Sequence, residues 1–161
     1  MTEPILSPDY WRQRLEQAKE LHQAVFRCPL DRWQRIEARH RKLLSDLILP
    51  HDSILDAGCG WGRLLTLLPK DWDGRYLGVD LSPDFVALAQ QTHPRKEFVV
   101  GDLRRLDFPD TFDWAVCISI RPMMKRNLGE DVWNLMEQEL IRVSRRVLFL
   151  EYDEEDKGDI L

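Results

Sequence analysis

The run Ile54-Leu55-Asp56-Ala57-Gly58-Cys59-Gly60-Trp61-Gly62-Arg63 limits what this chain can fold into more than any other stretch. An apolar segment ends in an acid, glycines follow at alternate positions, and a leucine-rich segment, Leu64-Leu65-Thr66-Leu67-Leu68, comes next. That order predicts a strand, a tight turn and a helix. Glycine takes positive φ at no steric cost, and main chain without Cβ atoms lets a ligand lie close against it. The pattern suits a cofactor that contains adenosine.

The rest of the chain is read around this unit. Residues 1–50 predict two helices. Ser7-Pro8-Asp9 supplies a hydroxyl cap, a proline at the first helical position and an acid in the first turn. Trp11, Leu15, Ala18, Leu21 and Val25 then recur at helical spacing. Cys28-Pro29 breaks that helix, Asp31 with Gln34 resembles a capping box for the second, and Pro50 ends it. From Ser53 onward short apolar strands at 53–57, 76–79, 98–100, 114–118 and 147–150 alternate with helical segments. One helix opens at Ser82-Pro83-Asp84, and another is expected behind a capping box formed by Asn127 and Glu130. Alternation of this kind implies an α/β fold: a doubly wound, mostly parallel sheet with helices on both faces. The expected organisation is a single domain over 1–161, with a helical extension or lid at 1–50, a cofactor-binding core at 51–152 and an acidic, frayed tail at 153–161.

The length of 161 residues suffices for one core without disulfides. Cys28, Cys59 and Cys117 are an odd set without metal-ligand spacing, which favours a reducing compartment. His22, His40, His51 and His93 are scattered, so no metal site is expected. A net charge of −5 gives no global attraction to nucleic acid or acidic membranes. No apolar run is long enough to span a bilayer, and no secretion signal is legible at Met1-Thr2-Glu3-Pro4. A cytoplasmic protein is expected.

In doubly wound sheets ligands bind at the carboxyl ends of the strands, where strand order reverses. Three acids fall at such ends: Asp56, Asp80 and Asp102. Asp80 stands about 20 residues past the glycine turn, the spacing at which a carboxylate commonly takes both ribose hydroxyls. Asp102 can accept from an adenine amino group, with Leu103 packing beside it. These segments resemble the class I (Rossmann-like) S-adenosylmethionine (SAM)-dependent methyltransferases. The matching pieces are Asp56 to Gly62, Gly78-Val79-Asp80-Leu81-Ser82, Gly101-Asp102-Leu103 and Phe112-Asp113-Trp114-Ala115-Val116, in order, across residues 53–150.

The resemblance implies SAM as cofactor and S-adenosylhomocysteine as product. It implies that the backbone of Ala57, Gly58, Cys59 and Gly60 lies against the methionine part, with Asp56 near its amino group. Asp80 would hold the ribose, Leu81 flank the adenine, Asp102 and Leu103 read its edge, and Ile118 and Ser119 close the site near the sulfonium. A nicotinamide dinucleotide site fits less well. There the third glycine follows the second by three residues, leaving room for a pyrophosphate, whereas Gly62 follows Gly60 by two and Asp56 precedes the turn. Cys59 is read as a small residue and not a nucleophile, Trp61 as packing, and Arg104 and Arg105 as solvated charge.

The expected activity is methyl transfer from SAM to an unidentified acceptor, a small molecule or an exposed group of a larger one. The alternative is a non-catalytic SAM-binding module or partner subunit. No general base is evident. The segment Ser119 to Arg126 is read as a loop that lacks the Asn/Asp-Pro-Pro-aromatic motif of nucleic-acid amino-methylating enzymes. Its Arg121, Lys125 and Arg126 are candidates for gripping an anionic acceptor, and Met123 and Met124 for an apolar pocket. Tyr10 and Trp11 are candidate lid residues, with Trp11 more readily placed on the core face of its helix. The family's usual sixth and seventh strands have no counterpart in the sequence, so strand 147–150 is expected to be an apolar edge. A homodimer across that edge is the first expectation, the acidic tail folding over it the second, and another protein partner the third.

Overall fold

A computed structural model describes residues 5–109, 111–153 and 158–161. Six strands form one sheet: β1 (Ile54–Ala57), β2 (Tyr76–Asp80), β3 (Glu97–Val100), β4 (Phe112–Ile118), β5 (Ser144–Leu150) and β6 (Asp159–Ile160). Their spatial order is β3-β2-β1-β4-β5-β6. All neighbours are parallel except β5 and β6. The order reverses between β1 and β4, which opens a crevice at the carboxyl end of β1.

The central strands read as apolar runs because both faces of the sheet are covered. Leu55, Ala57, Ala115, Cys117 and Phe149 face one core, closed by Trp133, Met136 and Leu140 of α6 (Glu130–Val143). Ile54, Trp114, Val116 and Leu148 face the other. That face is closed by α2 (Leu30–Leu47), α3 (Arg63–Leu67) and α4 (Pro83–Thr92), through Leu44, Leu64 and Ala89.

Two expected helix starts are built as the sequence implies. Ser7 accepts from Asp9 N to open α1 (Pro8–Gln17), and Ser82 accepts from Phe85 N to open α4. Other expectations require correction. The first helix does not run to Val25: it stops at Gln17, and Leu21–Ala24 forms a separate 3-10 turn that buries His22 and Ala24. Arg14 holds this turn back against α1 by donating to the Ala24 carbonyl at 2.9 Å. The Asp31–Gln34 box is not formed, because Pro29 takes the cap position and Asp31 instead accepts from Arg35 at 2.9 Å. The segment after β4 is not a loop but α5 (Arg121–Leu128), with Pro122 in its first turn. Asn127 therefore lies in the last turn of α5, donating to the Met123 carbonyl, and Gly129 at φ 89° precedes α6.

The fifth strand is not an open edge. Leu148 pairs with Ile160 and Phe149 with Asp159, while Val147 and Leu161 exchange backbone hydrogen bonds at 2.9 Å. The end of the chain thus occupies the edge that a homodimer was expected to use, which is the second of the three expectations. Arg121 anchors it through Asp159 at 2.7 Å. Among the described residues no helix is long and apolar enough to cross a membrane.

Candidate active site

The glycine turn after β1 is built from backbone hydrogen bonds. Gly58 N and Cys59 N both donate to the Val79 carbonyl, at 2.8 and 3.0 Å, which ties the turn to the end of β2. Gly58 sits at φ 72°, and a Cβ on it would lie 1.8 Å from Ile120 Cδ1. The positive φ favours glycine, and a Cβ there would also require the Ile120 side chain to move. Gly60 also has positive φ, 52°, but the space around it is open.

Asp80 closes β2 and is locked by the main chain: Gly60 N donates to its Oδ2 at 2.8 Å and Ser82 N to its Oδ1 at 2.9 Å. Each oxygen keeps acceptor capacity, so the carboxylate is oriented and still able to take two hydroxyls. Burial raises its pKa, and the N–H groups of Ser82 and Gly60 oppose that rise. Asp56, 2% exposed, accepts from the Tyr76 hydroxyl at 2.6 Å. Burial pushes its pKa up to about 7, against the Tyr76 hydrogen bond. Asp102 differs. Arg104 holds it through both its guanidinium and its backbone N–H, and this pairing lowers the Asp102 pKa.

These three acids line a single crevice of about 940 Å³, open to solvent. It brings together Asp56, Gly58, Cys59, Gly60, Asp80, Leu81, Asp102, Leu103, Ile118 and Ser119. Ala57 is the exception among the expected site residues. It is fully buried in the sheet, paired with Val79 and Cys117, and its side chain packs in the core. Cys59 is buried and its thiol pKa is pushed far up by that burial, so it holds no thiolate. Ser119 takes φ 56°, a strained conformation for a residue with a Cβ, where β4 gives way to α5.

The far wall of the crevice is apolar: Ile5, Leu6, Ile120, Met123, Met124 and Met136. Trp11 is half-buried and lines the crevice; its indole donates to the Ile5 carbonyl at 2.9 Å and its ring lies 6.2 Å from Phe85. Tyr10 packs against the core instead. Trp61 also lines the crevice, 6.2 Å from Phe85. The cations expected to grip an anionic acceptor do not reach it. Arg121 is paired with Glu151 at 3.3 Å and with Asp159, and Lys125 with Glu130 at 3.0 Å. Neither they nor Arg126 line the crevice.

Sequence reasoning missed several lining residues: Arg63, Phe85, Ile120, Met136, Tyr152 and the Ile5-Leu6 pair. Arg63 had a signal, since it directly follows the third glycine; Tyr152 and Met136 had none. Among the described residues no three His, Cys, Asp or Glu side chains are grouped to hold a metal ion.

Comparison with known proteins agrees with this geometry. A family model described as a methyltransferase domain matches residues 54–145, more than half of the chain. Malonyl-[acyl-carrier protein] O-methyltransferase of Herminiimonas arsenicoxydans is 40% identical over 77 residues, 47% of this chain and 28% of that protein. The 2-methyl-6-phytyl-1,4-hydroquinone methyltransferase of Synechocystis is 36% identical over 77 residues, 44% of this chain and 24% of that one. The matched segment is thus well under half of either relative's length. A TehB-like SAM-dependent methyltransferase from Corynebacterium glutamicum superposes with a TM-score of 0.57 at 28% identity, over 74% of this chain and 68% of that structure. Magnesium protoporphyrin IX methyltransferase from Synechocystis, solved with bound SAM, gives 0.61 at 23% identity over 88% and 68%. The strand order, the glycine turn and the family match lead to one conclusion: this chain belongs to the class I SAM-dependent methyltransferase family, with its Rossmann-like fold.

Proposed function

We propose that the chain binds SAM along the tips of β1, β2 and β3 and transfers its methyl group to a small, largely apolar acceptor. The observation that carries this is Asp80, fixed by two backbone N–H groups beside a glycine turn in the same crevice as Asp56 and Asp102. Asp80 accepts the ribose hydroxyls. Leu81 and Leu103 flank the adenine, and Asp102 lies at its edge. The backbone of Gly58 and Gly60 lies along the methionine part, Asp56 faces its ammonium group, and Ile118 and Ser119 border the sulfonium.

SAM supplies an activated methyl; the chain contributes position and exclusion of water. Orientation for in-line attack can be worth about 7–11 kcal/mol in favourable systems. The wall of Ile5, Leu6, Ile120, Met123, Met124 and Met136 supports an apolar acceptor, since methionine re-packs around irregular shapes. No titratable side chain of the described lining lies on that wall. The acceptor therefore loses its proton to solvent or enters already ionised. The name of one relative, a 2-methyl-6-phytyl-1,4-hydroquinone methyltransferase, is compatible with this; that of the other names malonyl-[acyl-carrier protein], an acceptor carried on a protein.

Calorimetry with S-adenosylhomocysteine, followed by a turnover assay against hydroquinones, phenols, thiols and carboxylates, tests the proposal. Binding and methylation of an apolar acidic acceptor are expected. Absence of binding refutes the cofactor site. Binding without turnover on any acceptor favours the second reading, a SAM-binding module that completes another enzyme. The apolar wall, which carries no titratable side chain among the described residues, motivates that reading.

A further inference from the structure

Arg121 stands at the first position of α5, the helix that brings Met123 and Met124 to the crevice. Local preferences do not fix that helix end. Ile120 at the cap position offers no side-chain hydrogen bond, and the first turn holds no acid. A cation at a helix N-terminus opposes the macrodipole. Ser119, just before it, takes φ 56°. What holds this junction comes from the far side of the sheet. Ser119 N donates to the Leu150 carbonyl at 2.6 Å. The Arg121 guanidinium meets Glu151 at 3.3 Å and Asp159 at 2.7 Å, and it lies 4.7 Å from the centre of the Phe149 ring.

The contacts share one cause. Asp159 of β6 pairs in register with Phe149 of β5, and residues directly opposite in antiparallel strands point to the same face. Asp159 is therefore delivered beside the ring that Arg121 covers. The arginine side chain is 24% exposed, so its charge pairs are partly shielded from solvent, where such bonds are stronger than on an open surface. Arg121 does not line the crevice, but its neighbours do. Ile120 reaches over Gly58, and Met123 and Met124 follow within the first turn of α5. A shift of that turn moves all three side chains.

We infer that Arg121 is a positioning residue for the acceptor: by clamping the start of α5 to β5 and β6, it sets where Ile120, Met123 and Met124 stand opposite the glycine turn. The inference rests on the proposed apolar acceptor wall and names what holds that wall in place. It also gives β6 a role beyond covering the sheet edge, since Asp159 is one jaw of the clamp. Asp80 is held separately, by Gly60 N and Ser82 N. Loss of the clamp therefore acts on the acceptor side and spares the nucleoside side.

The test is calorimetry on the full chain, as wild type, Arg121→Gln, Arg121→Lys and Asp159→Asn. Each is titrated with S-adenosylhomocysteine and then, at saturation, with thymol, an apolar phenol. NMR spectra of methyl-labelled methionine report whether thymol seats against Met123 and Met124. Arg121→Gln is expected to weaken thymol binding about tenfold while changing S-adenosylhomocysteine affinity less than about threefold. Arg121→Lys keeps the charge and is expected to recover part of the loss. Asp159→Asn leaves Glu151 in place and is expected to weaken thymol binding about threefold. Thymol affinity unchanged in Arg121→Gln, both ligands weakened equally, or no recovery in the lysine variant overturns the positioning role and leaves the acceptor proposal standing. If Arg121→Gln does not fold, Asp159→Asn decides by the same comparison of the two ligands. If the Met123 and Met124 signals of wild type do not respond to thymol, the apolar-acceptor proposal fails and this inference fails with it.

Discussion

The two walls of the crevice are held by different forces. On the β1–β3 side, directional hydrogen bonds fix every functional group: Gly58 and Cys59 to Val79, Gly60 and Ser82 to Asp80, Tyr76 to Asp56. On the other side, the side chains of Ile5, Leu6, Ile120, Met123, Met124 and Met136 are apolar and line the crevice without a directional group. Hydrogen bonds specify one geometry, and flexible apolar side chains accept several. One wall is therefore suited to a fixed nucleoside, and the other to an acceptor that differs between relatives of the same fold.

The contrast breaks most visibly at Gly58. Gly58→Ala forces a side chain into φ 72° and onto Ile120, whereas Gly60→Ala meets open space. Losses of about 3 and about 1 kcal/mol respectively are expected in denaturant melts. Equal losses would mean that the Ile120 side chain moves off the turn without cost. Next in size is Asp80→Ala, expected to weaken S-adenosylhomocysteine binding by about 2 kcal/mol, roughly 30-fold. Calorimetry showing unchanged affinity would remove Asp80 from the site.

Acidity sharpens the same contrast. The native pKa of Asp56, about 7, lies above its ordinary value of 3.8. Between those values the folded chain holds a proton that the unfolded chain releases. The associated stability is full below about pH 4 and is lost as pH rises through 7, by at most about 1.4 kcal/mol per unit. Urea melts from pH 4 to 8 should show Asp56→Asn with a flatter profile than wild type; parallel profiles would contradict the burial of this acid. Ligand affinity should move the opposite way, rising through pH 7 as Asp56 ionises beside the ammonium. The smallest effect is expected at Asp102, already occupied by Arg104. Asp102→Ala should change S-adenosylhomocysteine affinity by less than about 1 kcal/mol. A loss equal to that of Asp80→Ala would mean that Arg104 releases Asp102 on binding.

The legible parts of the chain were those with local causes. Ser7 and Ser82 cap helices from two and three residues away, and the glycine turn with Asp56 and Asp80 is set by spacing along the sequence. The packed wall was less legible. Arg121-Pro122-Met123-Met124-Lys125-Arg126 carries no apolar periodicity, and α5 forms because Met124 is buried against a core assembled from distant strands. Asn127 and Glu130 match a cap pattern, yet Gly129 at positive φ divides two helices between them. Arg63 was passed over because a charge suggests solvent, and only the fold brings Trp33, Glu37, His40 and Tyr152 around it. The two-residue β6 is too short and polar to announce itself; it is defined by the edge it covers.

The most direct measurement is a crystal structure of the complex with S-adenosylhomocysteine. The expected result places both ribose hydroxyls within hydrogen-bond distance of the Asp80 carboxylate, with the amino-acid arm along Gly58 and Gly60. A nucleoside bound elsewhere, or a crevice that stays empty at saturating ligand, would contradict the central claim.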